Sequence, residues 1–526
     1  MKLYFILSLL VYFYYIVFKS KKYMHMLQQN WYNDGNRYLK WIFTNFEKVF
    51  IVFDLFIIII LLLQNNYCIL AFSVFYLICY TIFKSKVSKE QSKKPLVITS
   101  RIKRLYTTML FLYLIYVVYT LITFDETIIY QYYLYLGLLA YLNPFVIWIA
   151  NIINRPIEKM VFNYYKKKAT NKLNQMPGLM KVGITGSYGK TSSKNALNAI
   201  LNIKFNSFAT EKSFNTMNGL MISINNKLDK FSDIFIAEMG AFKQGEIKQK
   251  AKFIKPQYGI LTTIGTAHLE SFGSQENIQK AKFELIDSLP KDGIAVLNMD
   301  DPFQVSYKIK SKCKVVWVST KEKNADVYAS DIKLSNKGTK FKCTFKETKE
   351  TCELETKLLG SANVYNILQA VALAYNLGMN VEQIALGVRR IATVEHRLEL
   401  KKYFDINIID DAYNSNPSGS KMAVEVLAMM PGKKIIVTPG MIELGEKQYE
   451  YNMAFGKQIA DVCDEVILIG EEQTKPILAG LKSKNYNDKK IHILNDVKEA
   501  FPLMRKLSDK VTYVLLENDL PDIFNE

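Results

Sequence analysis

The sequence predicts a multi-domain chain: an N-terminal α-helical transmembrane domain followed by α/β domains with parallel sheets. Three observations predict it. The residues up to 150 are dense in Leu, Ile, Phe and Tyr and fall into five apolar segments. From Lys181 onward, short apolar runs alternate with charged, helix-like stretches, the pattern of α/β units. Between the two halves a glycine-rich loop, Gly183 to Ser192, follows a short apolar run and precedes a helix-like one. At 526 residues the chain has room for about three or four domains.

The apolar segments are 3–18, 49–63, 67–83, 106–124 and 128–149. The last two reach the length of about 20 residues that crosses a hydrocarbon core; the first three are short. Lys19, Lys21 and Lys22 follow the first segment and no small-residue cleavage site does, so a retained span is expected rather than a signal peptide. Asp54 lies inside the second segment. A central Asp costs about 2.5–3.5 kcal/mol and each Leu or Ile returns about 0.3–0.6, so the apolar run 55–63 offsets it. Residues 64–66 join the second and third segments as a tight hairpin, and a re-entrant hairpin would leave the parity of crossings unchanged. Loops 19–48 and 84–104 are basic, whereas 64–66 and 125–127 carry no positive charge. The positive-inside rule then predicts five crossings of the plasma membrane, the N-terminus outside and everything after Asn151 in the cytosol. The expected domains are 1–152, transmembrane; 153–178, a charged linker helix along the membrane surface; and two soluble domains, 179–394 and 395–526.

The chain carries a formal charge of +19. Much of it flanks apolar segments and no basic-aromatic recognition motif is present, so anionic membrane lipids are the expected partner and nucleic acid is not. Six cysteines, none in a CxxC pair, argue against a disulfide framework and against a zinc site.

In the loop, glycines let the backbone wrap a phosphate with several N–H groups inward. Lys190 reaches the β- and γ-phosphates and the Thr191 hydroxyl ligates Mg²⁺, so ATP is the expected ligand. Ile184 stands where the first glycine of G-x-x-x-x-G-K-[ST] belongs; the form here is G-x-x-G-x-x-G-K-T.

That loop resembles the nucleotide loop of the Mur ligase family. Further blocks resemble the branch that adds D-Ala-D-Ala to the UDP-muramyl tripeptide: Glu238-Met239-Gly240, Gly245-Glu246-Ile247, Gly265 to Ser274, Ala281-Lys282-Phe283-Glu284, Asn298-Met299-Asp300-Asp301, His396-Arg397-Leu398-Glu399, Asp410 to Pro417 and Gly440 to Gly445. The resemblance implies a central ATP-binding domain at 179–394 and a Rossmann-like C-terminal domain at 395–526. It implies an ADP-forming carboxylate–amine ligase, in which ATP converts a carboxylate to an acyl phosphate and an amine then displaces phosphate. It also implies roles for residues. Gly186, Ser187, Gly189, Lys190, Thr191 and Ser192 cradle phosphates, and Asn298, Asn363 and Asn366 contact the nucleotide. Thr191, Glu238, His268 and a carbamylated Lys282 hold Mg²⁺. Arg397 reaches the phosphates and Asp411 the ribose. Lys190, Lys282, His268 and Arg397 form the catalytic set. Ser213, Asn215, Thr216, Asn414 and Asn416 face the acyl and amine substrates.

The sequence departs from the family in three places. Ala362 replaces a histidine before Asn363. Membrane segments stand where the UDP-sugar domain is expected. An acidic stretch, Leu515 to Asp522, replaces a basic one after the last strand. The expected substrates are therefore a cell-envelope carboxylate, lipid-linked or polymeric, and an amino acid or peptide amine. A poly-γ-glutamate-type synthetase, an ordinary D-Ala-D-Ala-adding ligase and an ATP-gated transporter remain alternatives. The oligomeric state is not set by the sequence.

Overall fold

The computed structural model describes residues 2–32, 37–50, 53–62, 68–89, 95–413, 416–442 and 444–518. The chain divides into two compact units at Tyr164/Tyr165.

The first unit is helical, with helices Lys2–Gln29, Phe53–Leu62, Cys68–Lys89, Ser100–Ile122 and Ile129–Tyr141 and the start of Asn143–Asn174. Among the described residues, two stretches are long and apolar enough to cross a membrane: Leu3–Gln29, with mean hydropathy 1.7, and Ser100–Ile122, with 1.9. A third candidate is the pair Glu126–Tyr141 and Asn143–Asn174, bent by 72°. Where five crossings are expected, the described residues thus carry two helices of spanning length and composition, or three with the bent pair. Of the second segment the described part is helix Phe53–Leu62, and Leu70–Ile82 is a shorter apolar stretch of Cys68–Lys89. The fifth segment breaks because Pro144 follows Asn143: its ring excludes the preceding turn and it has no N–H to donate, so the helix restarts. The expected linker helix is the continuation of that restarted helix, as far as Asn174.

The first helix runs eleven residues beyond the predicted apolar segment, because Lys19 is not a flanking charge. Its Nζ lies 2.6 Å from Asp54 Oδ2 and both side chains are buried. Lys19 also donates to the Ala140 carbonyl, and the Tyr15 hydroxyl donates to Asp54 at 2.8 Å. A buried carboxylate without a partner would be strongly destabilising, so this pairing, more than the neighbouring apolar run, accommodates Asp54. Tyr12, Phe72, Tyr76 and Tyr133 pack around it as an aromatic core.

The second unit holds two sheets. The first contains β1 (Met180–Thr185), β2 (Ser207–Ala209), β3 (Ile234–Glu238), β4 (Tyr258–Leu261), β5 (Ile294–Asn298), β6 (Lys314–Ser319), β7 (Val327–Ser335), β8 (Gly338–Phe345) and β9 (Thr351–Thr356), in the order β2-β3-β1-β4-β5-β6-β7-β8-β9. The second contains β10 (Glu399–Tyr403), β11 (Ile406–Asp411), β12 (Lys433–Thr438), β13 (Glu465–Ile469), β14 (Ile491–Leu494) and β15 (Thr512–Glu517), in the order β10-β11-β15-β12-β13-β14.

The purely parallel expectation holds only in part. The β7–β8 and β8–β9 pairs are antiparallel, as is β10–β11. These strands alternate polar and apolar residues with one solvated face, so they lack the continuous apolar runs that mark buried parallel strands. Cys343 and Cys352 face each other across β8 and β9 as free thiols. Helices Lys190–Leu201 and Ser361–Asn376 cover the first sheet over a core that includes Ile184, Leu197, Ile236, Ile260 and Ile367. In such a sheet, ligands bind beyond the carboxyl ends of the strands. β1, β3 and β4 end there at Thr185, Glu238 and Leu261.

Candidate active site

β1 is buried at its carboxyl half and delivers the chain into the glycine-rich loop. Gly186 (φ +152°) and Gly189 (φ +80°) hold backbone conformations that a side chain would strain. A Cβ on Gly189 would run into the Asn366 carboxamide oxygen, and one on Gly186 into the Thr262 hydroxyl. The loop is pinned from the side by Ser187 N–H donating to the Thr263 carbonyl, Ser187 Oγ donating to the Gly265 carbonyl, and Thr262 Oγ1 donating to the Tyr188 carbonyl. Lys190 opens the helix and folds back, its Nζ donating to the Gly186 and Ser187 carbonyls at 2.9 Å each. The ammonium therefore lies across the mouth of the loop. Ser192 follows on the first turn, half-buried.

Glu238, fully buried at the end of β3, joins two predicted residues. Thr191 Oγ1 donates to its Oε2 at 3.0 Å, and Asn215 Nδ2 to its Oε1 at 3.1 Å. Lys194 Nζ completes the set at 3.2 Å from Oε2, with both side chains 1% exposed. Lys194 was not among the predicted site residues. It lies four residues after Lys190 on the same helix face, and that spacing was the available signal.

Lys282 is buried on helix Gln275–Ile286, with its Nζ 5.3 Å from the Phe272 ring centre. Burial, with Lys190 and Lys250 nearby, holds its amine well below the usual lysine range against the opposing pull of Glu246 and Glu284. Lys190 is depressed to about 8 by burial and by Arg397, with Glu238 opposing. Lys250, also missed by sequence reasoning, is buried and donates to the Gly240 carbonyl at 2.7 Å. Glu284 ties two motifs together: its oxygens accept from Gly245 N–H at 2.6 Å and Lys248 N–H at 2.8 Å.

His268 sits in a left-handed turn (φ +58°) with its ring 4.5 Å from that of Phe242. Among the described residues no group of three or more His, Cys, Asp or Glu could hold a metal. Thr191 and Glu238 are brought together.

Asn366 is buried under Gly189, where its Oδ1 accepts from Ser193 Oγ at 3.1 Å; Asn363 Oδ1 accepts from Asn366 Nδ2 at 3.3 Å. Their helix is anchored by Tyr365, whose hydroxyl donates to Asp300 at 2.6 Å. Asn298 Oδ1 accepts from Asp300 N–H, so the Asn298 to Asp301 block shapes the same edge.

From the second sheet, Arg397 stacks over Tyr413 at 4.9 Å, and the Tyr413 hydroxyl donates to Ser213 at 3.0 Å. Asp411 accepts from Leu398 N–H and stands beside Glu517 on the neighbouring strand; burial raises its carboxyl to about 6. Thr216 and Asn416 cap helices Met217–Asn226 and Pro417–Ala428. Asn414 lies outside the described residues.

Lys190 and Lys194 thus converge with Arg397 around the carboxylate of Glu238, and the buried amine of Lys282 stands near Lys190. Cations crowded in a dry site at the head of a glycine-rich loop call for a polyanion, and a nucleoside triphosphate fits.

Comparisons with known proteins agree. Residues 184–374 match the Mur ligase middle domain, and residues 396–516 the glutamate ligase domain of Mur ligases. The chain is 30% identical over 311 residues to the UDP-N-acetylmuramoyl-tripeptide–D-alanyl-D-alanine ligase of Escherichia coli, covering 59% of this chain and 68% of that protein. It is 31% identical over 299 residues to the Bacillus subtilis enzyme of the same name, covering 56% and 63%. The chain thus spans about two thirds of the length of these relatives. Among solved structures, MurF from Acinetobacter baumannii aligns with a TM-score of 0.62 at 25% identity, over 68% of this chain and 77% of that one. MurF from Thermotoga maritima in complex with ADP aligns with 0.59 at 26% identity, over 68% and 80%.

Proposed function

The chain belongs to the Mur ligase family of ATP-dependent, ADP-forming amide ligases, and on that premise we propose that it is a membrane-anchored member. In this reading it joins an amine to a cell-envelope carboxylate that is lipid-linked or held at the membrane. The observation that carries the ligase chemistry is the Thr191–Glu238 pair at 3.0 Å, set beside Lys190 and Lys194 at the carboxyl ends of β1 and β3.

The residues present fit ATP and Mg²⁺. Gly186 and Gly189 hold the loop in a backbone shape that a side chain would break. The Thr191 hydroxyl and the Glu238 carboxylate are the oxygen donors a magnesium ion takes. When bound, that ion neutralises charge on the transferred phosphoryl group. Lys190, moving from its two carbonyl partners to the phosphates, orients ATP. Arg397 supplies charge from the second sheet. The substrate carboxylate attacks the γ-phosphorus, giving an acyl phosphate and ADP. The amine then attacks the acyl carbon, loses a proton and expels phosphate, leaving the amide. Lys282 is suited to carbamylation, because only a neutral amine adds CO₂ and burial favours that form. The carbamate would supply an anionic oxygen ligand for a second metal position.

Anchoring is supported by the two apolar helices and the bent pair, and by the basic loops between them. Three crossings place the N-terminus outside and the ligase domains in the cytosol. Tethering raises the effective concentration of a membrane-held substrate and does little for a soluble one. The names of the relatives favour a second reading, UDP-muramyl tripeptide with D-Ala-D-Ala.

The test offers purified full-length enzyme each substrate set with ATP: UDP-muramyl tripeptide with D-Ala-D-Ala, or a lipid extract with amino acids and short peptides. Phosphate release should require both carboxylate and amine, and the lipid extract should support it. Efficient turnover of the soluble pair, in the range of about 10⁴–10⁸ M⁻¹s⁻¹, would defeat the lipid-linked reading.

A further inference from the structure

We propose that a groove between helices Lys2–Gln29 and Ser100–Ile122 binds a long-chain lipid carrying a phosphate headgroup, the anchor of the acyl substrate. This rests on the membrane reading above. The groove encloses about 670 Å³ and is lined by Phe13, Val17 and Phe18 from one helix and by Thr107, Leu110 and Leu114 from the other. The Tyr106 hydroxyl, donating to the Val17 carbonyl at 3.3 Å, ties the two helices together beside it. The groove is open along its length, with Tyr14 63% and Phe111 59% exposed, so a chain can enter sideways from a bilayer.

Its two ends differ in chemistry. The helices run in opposite directions, since Phe5 packs on Phe124 while Val17 meets Tyr106. Their basic ends therefore coincide. Lys21 lies one turn beyond Val17 and Phe18, its Nζ 4.3 Å from the Phe18 ring centre. Lys103 lies one turn before Thr107, whose hydroxyl donates to the Lys103 carbonyl. At the far end, around Leu10 and Leu114, the flanking residues Ile6, Leu7 and Val118 are apolar and exposed. Between Leu10 and Phe18 the groove runs about 12 Å along the helix axis. An apolar trough closed at one end by two ammonium groups complements an alkyl or isoprenoid chain ending in phosphate. A zwitterionic lipid would leave both lysines without net countercharge. By the positive-inside rule this basic end faces the cytosol, the side on which ATP is available.

The experiment uses the full-length protein in phosphatidylcholine nanodiscs and hexadecyl phosphate bearing a terminal diazirine. Photolabelling should map to residues 10–18 and 107–114. Unlabelled hexadecyl phosphate should displace it and hexadecylphosphocholine should not. Lys21→Glu with Lys103→Glu, and separately Val17→Trp with Leu110→Trp to fill the trough, should each lower labelling at least about fivefold while ATP binding stays unchanged. Labelling that ignores charge reversal, or that spreads along both helices, overturns the proposal. Full displacement by phosphatidylglycerol at bilayer concentration would assign the groove to ordinary membrane lipid and also overturn it. Labelling needs no turnover, so it reads the groove even if the ligase assay fails. A chain that labels as described yet turns over only soluble acyl substrates overturns the link to substrate.

Discussion

Replacing Gly189 by alanine probes the contact on which the nucleotide loop is built. Gly189 holds φ at +80°, and a Cβ there would run into the Asn366 carboxamide oxygen, with Cγ at 3.3 Å. Holding a non-glycine residue in the left-handed region costs about 1–2 kcal/mol. Turning the carboxamide aside breaks the Ser193–Asn366 hydrogen bond of 3.1 Å, worth about 0.5–1.5 kcal/mol. The sum is about 1.5–3.5 kcal/mol. If the loop relieves it by abandoning the cradle shape, ATP affinity falls by about 10- to 400-fold. Equilibrium titration of the purified protein with a fluorescent ATP analogue measures this, with a thermal melt to show that the fold survives. The sharper test is the cycle with Asn366→Ala. That change removes the obstructing group but leaves the backbone strain, so the double variant should bind better than the two single losses predict, by about 0.5–1.5 kcal/mol. Strictly additive losses, or unchanged binding by Gly189→Ala, would refute the contact.

Three further outcomes are expected. Lys282→Ala should lose about 10- to 100-fold in activity, the usual range for removing support from a metal site, and formate or acetate should restore part of it; a fully active variant would falsify the carbamate role. Lys190, depressed from 10.5 to about 8, gains charge affinity beside a triphosphate, so ATP binding near pH 8 should take up about half a proton and Lys190→Met should abolish the uptake. The sign for stability is opposite to that of a paired lysine: the penalty of burying Lys190 charged is full below about pH 8 and fades as pH rises toward 10.5. Buffer-dependent calorimetry reads the uptake, and pH-dependent melts of the nucleotide-free protein read the stability. Lys19→Met should cost about 3–5 kcal/mol by leaving Asp54 buried and unpaired, and Asp54→Leu in the same chain should recover much of it in detergent unfolding; equal stability of all three proteins would show that the pair is not buried as described.

The parts of this protein that the sequence alone determined are those written in short windows. The nucleotide loop, the helix after it and the strands ending at Glu238 and Asn298 follow from local periodicity and punctuation, and they fall within a few residues of their observed bounds. The basic bias of loops 19–48 and 84–104 is likewise written locally, because charge is a property of the loops themselves. What only the tertiary structure decided are pairings between distant segments. Lys19 with Asp54, Asn366 under Gly189, Glu284 on the Gly245 turn and Lys282 near Lys190 join residues whose neighbours carry no sign of the partner. The antiparallel strands β7 to β9 and the break at Asn143 were missed for related reasons. Half-solvated strands lack a continuous apolar run, and a single proline outweighed an otherwise unbroken apolar segment. Local propensity selects each element, but burial decides which charges must meet, because an ionised group removed from water is stable only beside its complement.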